Sequence, residues 1–264
     1  MDVNNISTMI VTGFVSLFLV MCILWAINVR IKNAAVVDFG WGGGFALLGC
    51  INFFGADGYL PRKFLADGMA IFWGVRLAGH LLLDRVLADK PEDGRYQEIR
   101  KQWKTHINLK FFFFFQFQTI LVVLLSMPFL LMSVNTAPRL SLLEAVGFLL
   151  WAVALAGESV ADDQLKKFKN HPENKGKTCR IGLWSYSRHP NYFFEWLAWV
   201  AYFISSLASP YGSYTIACPL IMLYILTRVT GIPITEAQAL RSRGDDYREY
   251  QRTTSAFIPW FKKT

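Results

Sequence analysis

The sequence predicts an all-α protein, a bundle of about seven transmembrane helices that forms a single integral membrane domain over residues 1–264. Two observations predict this fold class. Stretches of about 20 mostly apolar residues, the length that a helix needs to cross a bilayer, recur along the chain. The basic residues between them are concentrated on alternate connections. The overall share of hydrophobic residues, 53%, is only slightly above the about 45–50% of soluble proteins and decides nothing alone.

The apolar windows cover approximately residues 6–29, 34–55, 65–86, 109–135, 140–161, 191–208 and 213–230. The first window lacks a basic leader and a small-residue cleavage site, so we interpret it as a span and not as a signal peptide. Pro128 is expected to kink the fourth window, because proline cannot donate the backbone hydrogen bond that a helix interior needs. The fifth window is expected to continue beyond the membrane as a polar helix.

Charge placement predicts the orientation of the chain. All but four of the 27 Lys and Arg residues fall on the side of the membrane that holds the connection between the first two windows; the exceptions are Arg62, Lys63, Arg76 and Arg139. Cytoplasmic loops carry an excess of basic residues, so the N-terminus is expected outside and the C-terminus in the cytoplasm. The net charge of +8 therefore reflects topology and does not indicate a nucleic-acid partner.

Several kinds of site are not indicated. The four cysteines, Cys22, Cys50, Cys179 and Cys218, are scattered and lack metal-ligand spacing, so neither a disulfide framework nor a metal centre is expected. No Gly-x-Gly-x-x-Gly follows a strand, and no Walker loop is present.

The N-terminal half offers four polar residues in or beside apolar windows. The glycines of 40–44 permit close helix contact at the start of the second window. Asp38 just before them is either an interfacial acid or part of a pocket. Arg76 is either a structural partner of Asp38 or a contact for substrate or cofactor, and His80 is interpreted as a core histidine. Tyr96, in a charged loop that is a possible lid, is either structural or a proton donor.

The C-terminal half carries the strongest motif. Arg188-His189-Pro190-Asn191 stops abruptly at an apolar helix. Pro190 suits the first helical turn, so the helix N-terminus beside Arg188 would present unpaired N–H groups to an anion such as a phosphate. Asn191 and Glu195 fall on one helical face, and Glu195 needs a partner among its apolar neighbours.

A polar stripe precedes this motif at the end of the fifth window: Glu158, Asp162, Lys166 and Lys169. These residues recur at helical spacing. The stripe is either a solvated helix end, stabilised by pairs four residues apart, or the wall of a pocket.

The run Arg188-His189-Pro190-Asn191-Tyr192-x-x-Glu195 resembles the C-terminal domain of the membrane steroid 5α-reductase and sterol Δ14-reductase superfamily, most of all its uncharacterised bacterial branch. The resemblance covers residues 157–259 and includes further runs: Asp162-x-Gln164-Leu165, Asn174-Lys175-Gly176-Lys177, Gly231-x-Pro233 and Tyr247-x-x-Tyr250. Phe194 departs from the pattern, since relatives usually have glycine there. The close approach that this glycine would allow must therefore differ here.

The resemblance implies an enzyme of the bacterial inner membrane that binds NADPH between its helices on the cytoplasmic side. Residues 1–135 would then hold the hydrophobic substrate and residues 136–264 the cofactor. In the first half, the catalytic candidates are Tyr96, Arg76 and Asp38. The cofactor contacts that the resemblance implies are Asp162, Lys169, Arg180, Tyr186, Arg188, His189, Asn191, Tyr192, Glu195, Glu236, Arg241 and Tyr247.

The expected reaction is hydride transfer from NADPH to a carbon–carbon double bond of a steroid, isoprenoid or other lipid-like molecule. Two alternatives stay open. One is an S-adenosylmethionine-dependent methyltransferase that resembles isoprenylcysteine carboxyl methyltransferases, which share the R-H-P-x-Y run; the other is a non-catalytic lipid-binding protein. Asn191 and the stripe around Asp162 favour the reductase. The Gln-Glu pair of eukaryotic steroid reductases has no convincing equivalent, so steroid specificity stays open.

Overall fold

The computed structural model describes residues 3–86 and 91–262. Across those ranges the regular structure is helical and no strand is present, which confirms the all-α prediction. An isolated parallel bridge joins Ser187 to Ser255. Lys90 and Lys263, which contributed to the predicted charge pattern, lie outside the described residues.

Eleven α-helices follow one another in the described ranges: α1 (Val3–Ile31), α2 (Val36–Gly55), α3 (Leu60–Leu81), α4 (Gly94–Gln102), α5 (Ile107–Leu125), α6 (Met127–Ser133), α7 (Leu142–Asn170), α8 (Pro190–Ser206), α9 (Ala217–Tyr224), α10 (Ile232–Arg243) and α11 (Asp245–Thr253). Short π-helical turns extend α3 over Leu82–Val86 and α9 over Ile225–Val229. Single 3₁₀ turns occur at Pro172–Asn174, Gly182–Ser185 and Gly212–Ile216.

The chain forms two compact units. Unit 1 comprises Met1–Glu144 with Ser206–Ser213, and unit 2 comprises Ala145–Ser205 with Tyr214–Thr264. The polar residues singled out in the N-terminal half belong to unit 1. Those of the Arg188 motif, the stripe before it and the C-terminal tail belong to unit 2.

Within the described residues, five helical segments are long and apolar enough to cross a membrane: Asn4–Ile31, Val36–Gly55, Ile107–Leu125, Leu142–Asn170 and Gly212–Arg243. They indicate an integral membrane protein whose surface contacts lipid. The other two predicted windows are helical but do not qualify. Helix α8 has 17 residues, short of the about 20 that a crossing needs, and α3 carries Arg62, Lys63, Asp67 and Arg76 among its apolar residues. The count of seven and the orientation of the termini stay predictions.

The fourth window is divided into two helices where the sequence predicts a kink. Helix α5 ends at Leu125, and α6 begins at Met127 with Pro128 in its first turn. Proline has no N–H to continue the α5 ladder. The Ser126 hydroxyl donates to the Val123 carbonyl at 2.7 Å and satisfies one acceptor at the end of α5.

Close packing of α2 on α3 organises unit 1. A Cβ placed on Gly42 would lie 2.8 Å from the Ala78 backbone nitrogen, and one on Gly74 would lie 2.6 Å from the Gly42 oxygen. The two backbones therefore touch without side chains between them, the kind of contact that small residues provide in membrane helices. This confirms the expectation from the glycine-rich start of α2.

A buried ion pair connects the first turn of α3 with the first turn of α7. Arg62 pairs with Glu144, and both side chains are almost fully buried. The guanidinium also donates to the backbone oxygens of Asn135 at 3.0 Å and Ala137 at 2.8 Å. Charges out of water need this degree of compensation, so the network orders the connection from α6 to α7 within unit 1.

In unit 2, α7 lies directly against α8. Phe194 packs so closely on Gly157 that a Cβ built on Gly157 would clash with the ring atoms of Phe194. Further along, the Trp151 indole donates to the buried Tyr202 hydroxyl at 2.8 Å. The large side chain of Phe194 thus packs on a position of α7 that carries no side chain.

Candidate functional site

The carboxylate of Glu236 on α10 is the centre of the Arg188 motif. Arg188 Nε donates to it at 2.7 Å and Gln251 Nε2 at 2.7 Å. The ring nitrogen Nε2 of His189 lies 3.3 Å away and the Tyr247 hydroxyl 3.4 Å away. The side chains of Arg188 and Glu236 are only 10% and 15% exposed, so the pair is largely removed from solvent. We call these five residues the Glu236 network.

Backbone contacts lock this network to the C-terminal tail. Arg188 Nη1 donates to the oxygens of Gln251 at 2.8 Å and Thr254 at 2.6 Å, and the Arg188 amide donates to the Ser255 oxygen at 2.8 Å. The Ser187 hydroxyl donates to the Phe257 oxygen at 2.8 Å. The tail therefore folds back over the start of α8, and most of the hydrogen-bonding capacity of Arg188 holds it there.

His189 and Tyr192 form the inner edge of this network. Their rings are stacked with centroids 5.3 Å apart and planes inclined by 3°, and the Tyr192 hydroxyl lies 3.2 Å from the Thr235 hydroxyl. Burial lowers the pKa of His189 below its usual value, although the hydrogen bond to Glu236 acts in the opposite direction. The imidazole is therefore neutral near pH 7, and Nε2 is the nitrogen that donates to Glu236, because a carboxylate only accepts.

A second cluster, which we call the acid–amide group, consists of Glu158 and Asp162 on α7 with Asn191 and Glu195 on α8. Asn191 Nδ2 donates to Asp162 at 3.2 Å. Glu195 is close enough to Glu158 and Asp162 for electrostatic interaction. The buried Asn191 Oδ1 has no hydrogen-bond partner among the described residues. The cluster thus presents several acceptors and few donors, so it suits a ligand with hydroxyl, amide or amino hydrogens.

A third cluster, which we call the basic group, is Lys169, Arg188 and Arg243. Arg243 interacts electrostatically with Cys179, His189 and Tyr247, and its guanidinium lies 5.0 Å from the centroid of the Tyr247 ring. Arg188 acts on the same His189 and Tyr247, and Lys169 acts on the same Cys179. The three cations therefore act electrostatically on one group of residues in unit 2, Cys179, His189 and Tyr247.

Other predicted cofactor residues lie outside these clusters. Arg180 pairs with Asp246 at 2.8 Å and Glu249 at 3.3 Å, which uses its charge to hold α11. Tyr186 is 45% exposed, and its ring packs edge-on against Phe261. Arg241 is exposed on α10. The roles predicted for these residues toward a cofactor stay predictions.

The three catalytic candidates belong to unit 1, and two of them touch. The Tyr96 hydroxyl donates to Asp38 at 2.6 Å, and Arg95 Nη2 donates to the other Asp38 oxygen at 2.9 Å. Tyr96 is buried, on an α4 helix whose N-cap is Asp93. Arg76 is partly buried on α3, and His80 is exposed there, so His80 is not the core histidine expected from the sequence.

Sequence reasoning missed Arg243 and the membership of Glu158 in the acid–amide group. Arg243 lies seven residues after Glu236, a spacing that puts both on one face of α10, whereas Arg241 falls on another face. That helical spacing was the available signal. The hydrogen bond from Gln251 to Glu236 was not predictable in this way, because it depends on how α11 folds back on α10.

A family model matches residues 24–254 of the chain, and its description is "Protein of unknown function (DUF1295)". The chain belongs to the DUF1295 family. One relative with a stated activity, a "Probable O-methyltransferase ustE" from Ustilaginoidea virens, is 50% identical to this DUF1295 protein over 48 residues. That match covers 18% of this chain and 17% of the relative. No solved structure matches.

Proposed function

We propose that unit 2 binds a nucleotide cofactor and that the protein is a membrane-embedded, NADPH-dependent reductase of a carbon–carbon double bond in a hydrophobic substrate. The observation that carries this proposal is the presence in unit 2 of two complementary clusters. The acid–amide group offers acceptors, and the basic group offers cations. A dinucleotide phosphate has both complements, because its riboses and carboxamide donate hydrogen bonds and its phosphates are anionic.

The residues present fit such a cofactor. Asn191 Oδ1, buried without a partner among the described residues, would accept from a carboxamide or ribose hydroxyl. Asp162, which already accepts from the Asn191 amide, would hold that amide in place. Arg243 and Lys169 would bind phosphate. When bound, NADPH would supply the hydride, and the protein would supply orientation and a proton donor.

The role of Arg188 in this proposal differs from the one the sequence predicts. Its Nε and Nη1 atoms are engaged by Glu236 and by tail carbonyls. We therefore propose that Arg188 holds the tail and the Glu236 network in position, and that Arg243 is the main phosphate contact. Tyr247 stays protonated near neutral pH, since burial and the nearby Glu236 carboxylate raise its pKa. It would be a hydrogen-bond donor at the edge of the site.

In unit 1, Tyr96 is the proposed proton donor. Its hydroxyl is held by Asp38 at 2.6 Å, and Arg95 holds the same carboxylate. These contacts fix the position of the phenol; its single O–H proton, which is donated to Asp38, would have to turn from that carboxylate to the substrate for Tyr96 to act as a general acid. Arg76 stays a candidate for polarising a substrate carbonyl, a role suited to a cation in a water-poor site.

A methyltransferase is the second candidate function, favoured by the local similarity to a probable O-methyltransferase. S-adenosylmethionine carries a sulfonium and an amino group, and the carboxylates of the acid–amide group would attract both. The two functions differ in their need for the basic group. Its cations would bind the phosphates of the dinucleotide, whereas S-adenosylmethionine carries no phosphate.

The test compares two arginines on one helix. The purified full-length protein is titrated in neutral detergent with NADPH or S-adenosylmethionine, and thermal stability is followed, since a ligand of the folded state raises it by mass action. NADPH is expected to stabilise the wild type. Arg243→Gln should weaken NADPH binding by at least about tenfold, the equivalent of one charge-assisted hydrogen bond. Arg241→Gln removes the same charge from the exposed side of α10 and, contrary to the expectation from the resemblance, should leave NADPH binding unchanged.

Other outcomes assign the function differently. Stabilisation by S-adenosylmethionine alone would support the methyltransferase and overturn the reductase. No response to either compound would favour a lipid-binding protein without a nucleotide. Equal effects of the two arginine substitutions on NADPH binding would refute Arg243 as the main phosphate contact.

A further inference from the structure

A basic cavity lies at one end of unit 1, and none of its lining residues belongs to the proposed cofactor site. Its volume is about 560 Å³, and it is bounded by the end of α1, the residues after α4 and the first turn of α5. Four of its lining side chains are basic or can become so: Lys32, Arg100, Lys104 and His106. Among the residues that the structure describes, no carboxylate lines it.

The cations of this cavity are of two kinds. Arg100 is held rigidly: Nε donates to Glu92 at 2.8 Å, Nη2 donates to Asn28 at 2.7 Å, and the guanidinium lies 4.5 Å from the Phe111 ring centroid. Lys32 and Lys104 are exposed and form no ion pair within residues 3–86 and 91–262. Their charges are therefore available to an anion.

The position of the cavity identifies its surroundings. Helices α1 and α5 pack against each other, and both are long and apolar enough to cross a membrane. The cavity opens where α1 ends and α5 begins, which puts it at a membrane boundary. The Trp25 indole donates to the Asn108 oxygen at 2.8 Å, and tryptophan with its polar edge satisfied is typical of that boundary.

The backbone of the cavity is held in an unusual conformation. Lys32 and His106 adopt φ values of 54° and 52°, a left-handed region that few residues other than glycine visit. His106 immediately precedes α5, whose first-turn amides have no side-chain cap. Backbone conformations of this cost concentrate where side chains are arranged for binding.

We propose that this cavity binds the phosphate headgroup of an anionic membrane lipid. Lys32 and Lys104 supply unneutralised charge, Arg100 supplies a pre-oriented guanidinium, and the uncapped first turn of α5 supplies N–H donors. Basic pockets beside membrane helices bind lipid headgroups of this class. A lipid source fits better than a free phosphate because the apolar flanks of α1 and α5 continue from the cavity along the membrane span.

The test uses two double variants with the same loss of charge. Lys32→Gln with Lys104→Gln removes the two unpaired cations of the cavity. Arg30→Gln with Lys101→Gln removes two exposed cations nearby that do not line it. Full-length protein in neutral detergent is titrated at constant ionic strength with short-chain phosphatidylglycerol, phosphatidylcholine or inorganic phosphate, and the melting temperature is recorded. Native mass spectrometry counts bound lipid.

Phosphatidylglycerol is expected to raise the melting temperature of the wild type and of the Arg30/Lys101 variant, and phosphatidylcholine is not. The Lys32/Lys104 variant should bind phosphatidylglycerol at least about tenfold more weakly, which corresponds to about 1.4 kcal/mol. Lys104→Gln alone, outside the left-handed positions, checks that a weaker response does not come from misfolding.

Two results would overturn the proposal. Equal weakening in the two double variants would mean that general charge, and not this cavity, attracts the lipid. An equal rise in melting temperature with inorganic phosphate would exclude lipid as the specific source. Neither result bears on NADPH binding in unit 2, which is measured separately.

Discussion

Replacing Glu236 with glutamine is the sharpest test of how the Arg188 motif is held. The carboxylate accepts from Arg188 Nε at 2.7 Å and from Gln251 Nε2 at 2.7 Å. An amide has one acceptor oxygen and one NH₂ group, so one of the two donors must lose its partner. Hydrogen bonds to charged groups contribute about 1.5–3 kcal/mol. Since Arg188 is only 10% exposed, water cannot fully replace the lost partner, and we expect destabilisation of about that size.

The assay is thermal unfolding in detergent, combined with hydrogen exchange of the tail amides. Glu236→Gln should lower the melting temperature and accelerate exchange in α11, because Arg188 binds the oxygens of Gln251 and Thr254 only while it is held in place. A double-mutant cycle with Arg188→Gln isolates the interaction between Arg188 and Glu236. The double variant should lose less free energy of unfolding than the two single variants lose in sum.

The matched control is Glu249→Gln. Glu249 pairs with Arg180 at 3.3 Å but is 56% exposed, and exposed pairs contribute less than about 1 kcal/mol. If Glu236→Gln destabilises no more than Glu249→Gln, or if the cycle shows no coupling, the Glu236 network does not hold the tail, and our account of Arg188 is refuted.

Three further predictions concern other parts of the chain. Arg62→Met should cost about 3–5 kcal/mol by leaving Glu144 buried without its partner, and adding Glu144→Leu should restore much of the melting temperature; an additive loss would contradict this. Gly42→Ala should destabilise by about 1–3 kcal/mol, because its Cβ would lie 2.8 Å from the α3 backbone, whereas Gly43→Ala meets no atom within 4 Å and serves as the control. Burial lowers the pKa of His189 in the folded protein, so the unfolded chain takes up a proton first as the pH falls below about 6.5, and the free energy of unfolding decreases there by at most about 1.4 kcal/mol per pH unit. In His189→Gln the free energy of unfolding should therefore depend less on pH in this range. If its pH dependence is unchanged, His189 is not the group responsible.

Features that depend on a single stretch of chain were predictable. Hydropathy and length are local properties, so five of the predicted windows coincide with helical segments that are apolar enough to span a membrane. The break at Pro128 follows from a missing N–H, and the close contact at Gly42 follows from the absence of a side chain. The shortness of α8, at 17 residues, was also visible in the sequence, because the apolar window over 191–208 falls short of the about 20 residues that a crossing needs.

The choice among neighbouring polar residues was not predictable. The sequence pointed to Arg241 and not to Arg243, because only the docking of α10 beside Tyr247 decides which of the two arginines lies at that ring. It likewise marks Asp38 without showing that Tyr96, 58 residues away, donates to it.

By itself, therefore, the amino-acid sequence determined that this is a helical membrane protein with a polar motif at the start of α8, because burial in a bilayer constrains every residue of a span. The tertiary structure decided that Arg188 is engaged by Glu236 and the tail, that Asn191 joins an acidic cluster, and that Phe194 packs on Gly157. Each of these depends on a contact between residues distant in the chain, and the energy of such a contact depends on geometry that no local pattern encodes.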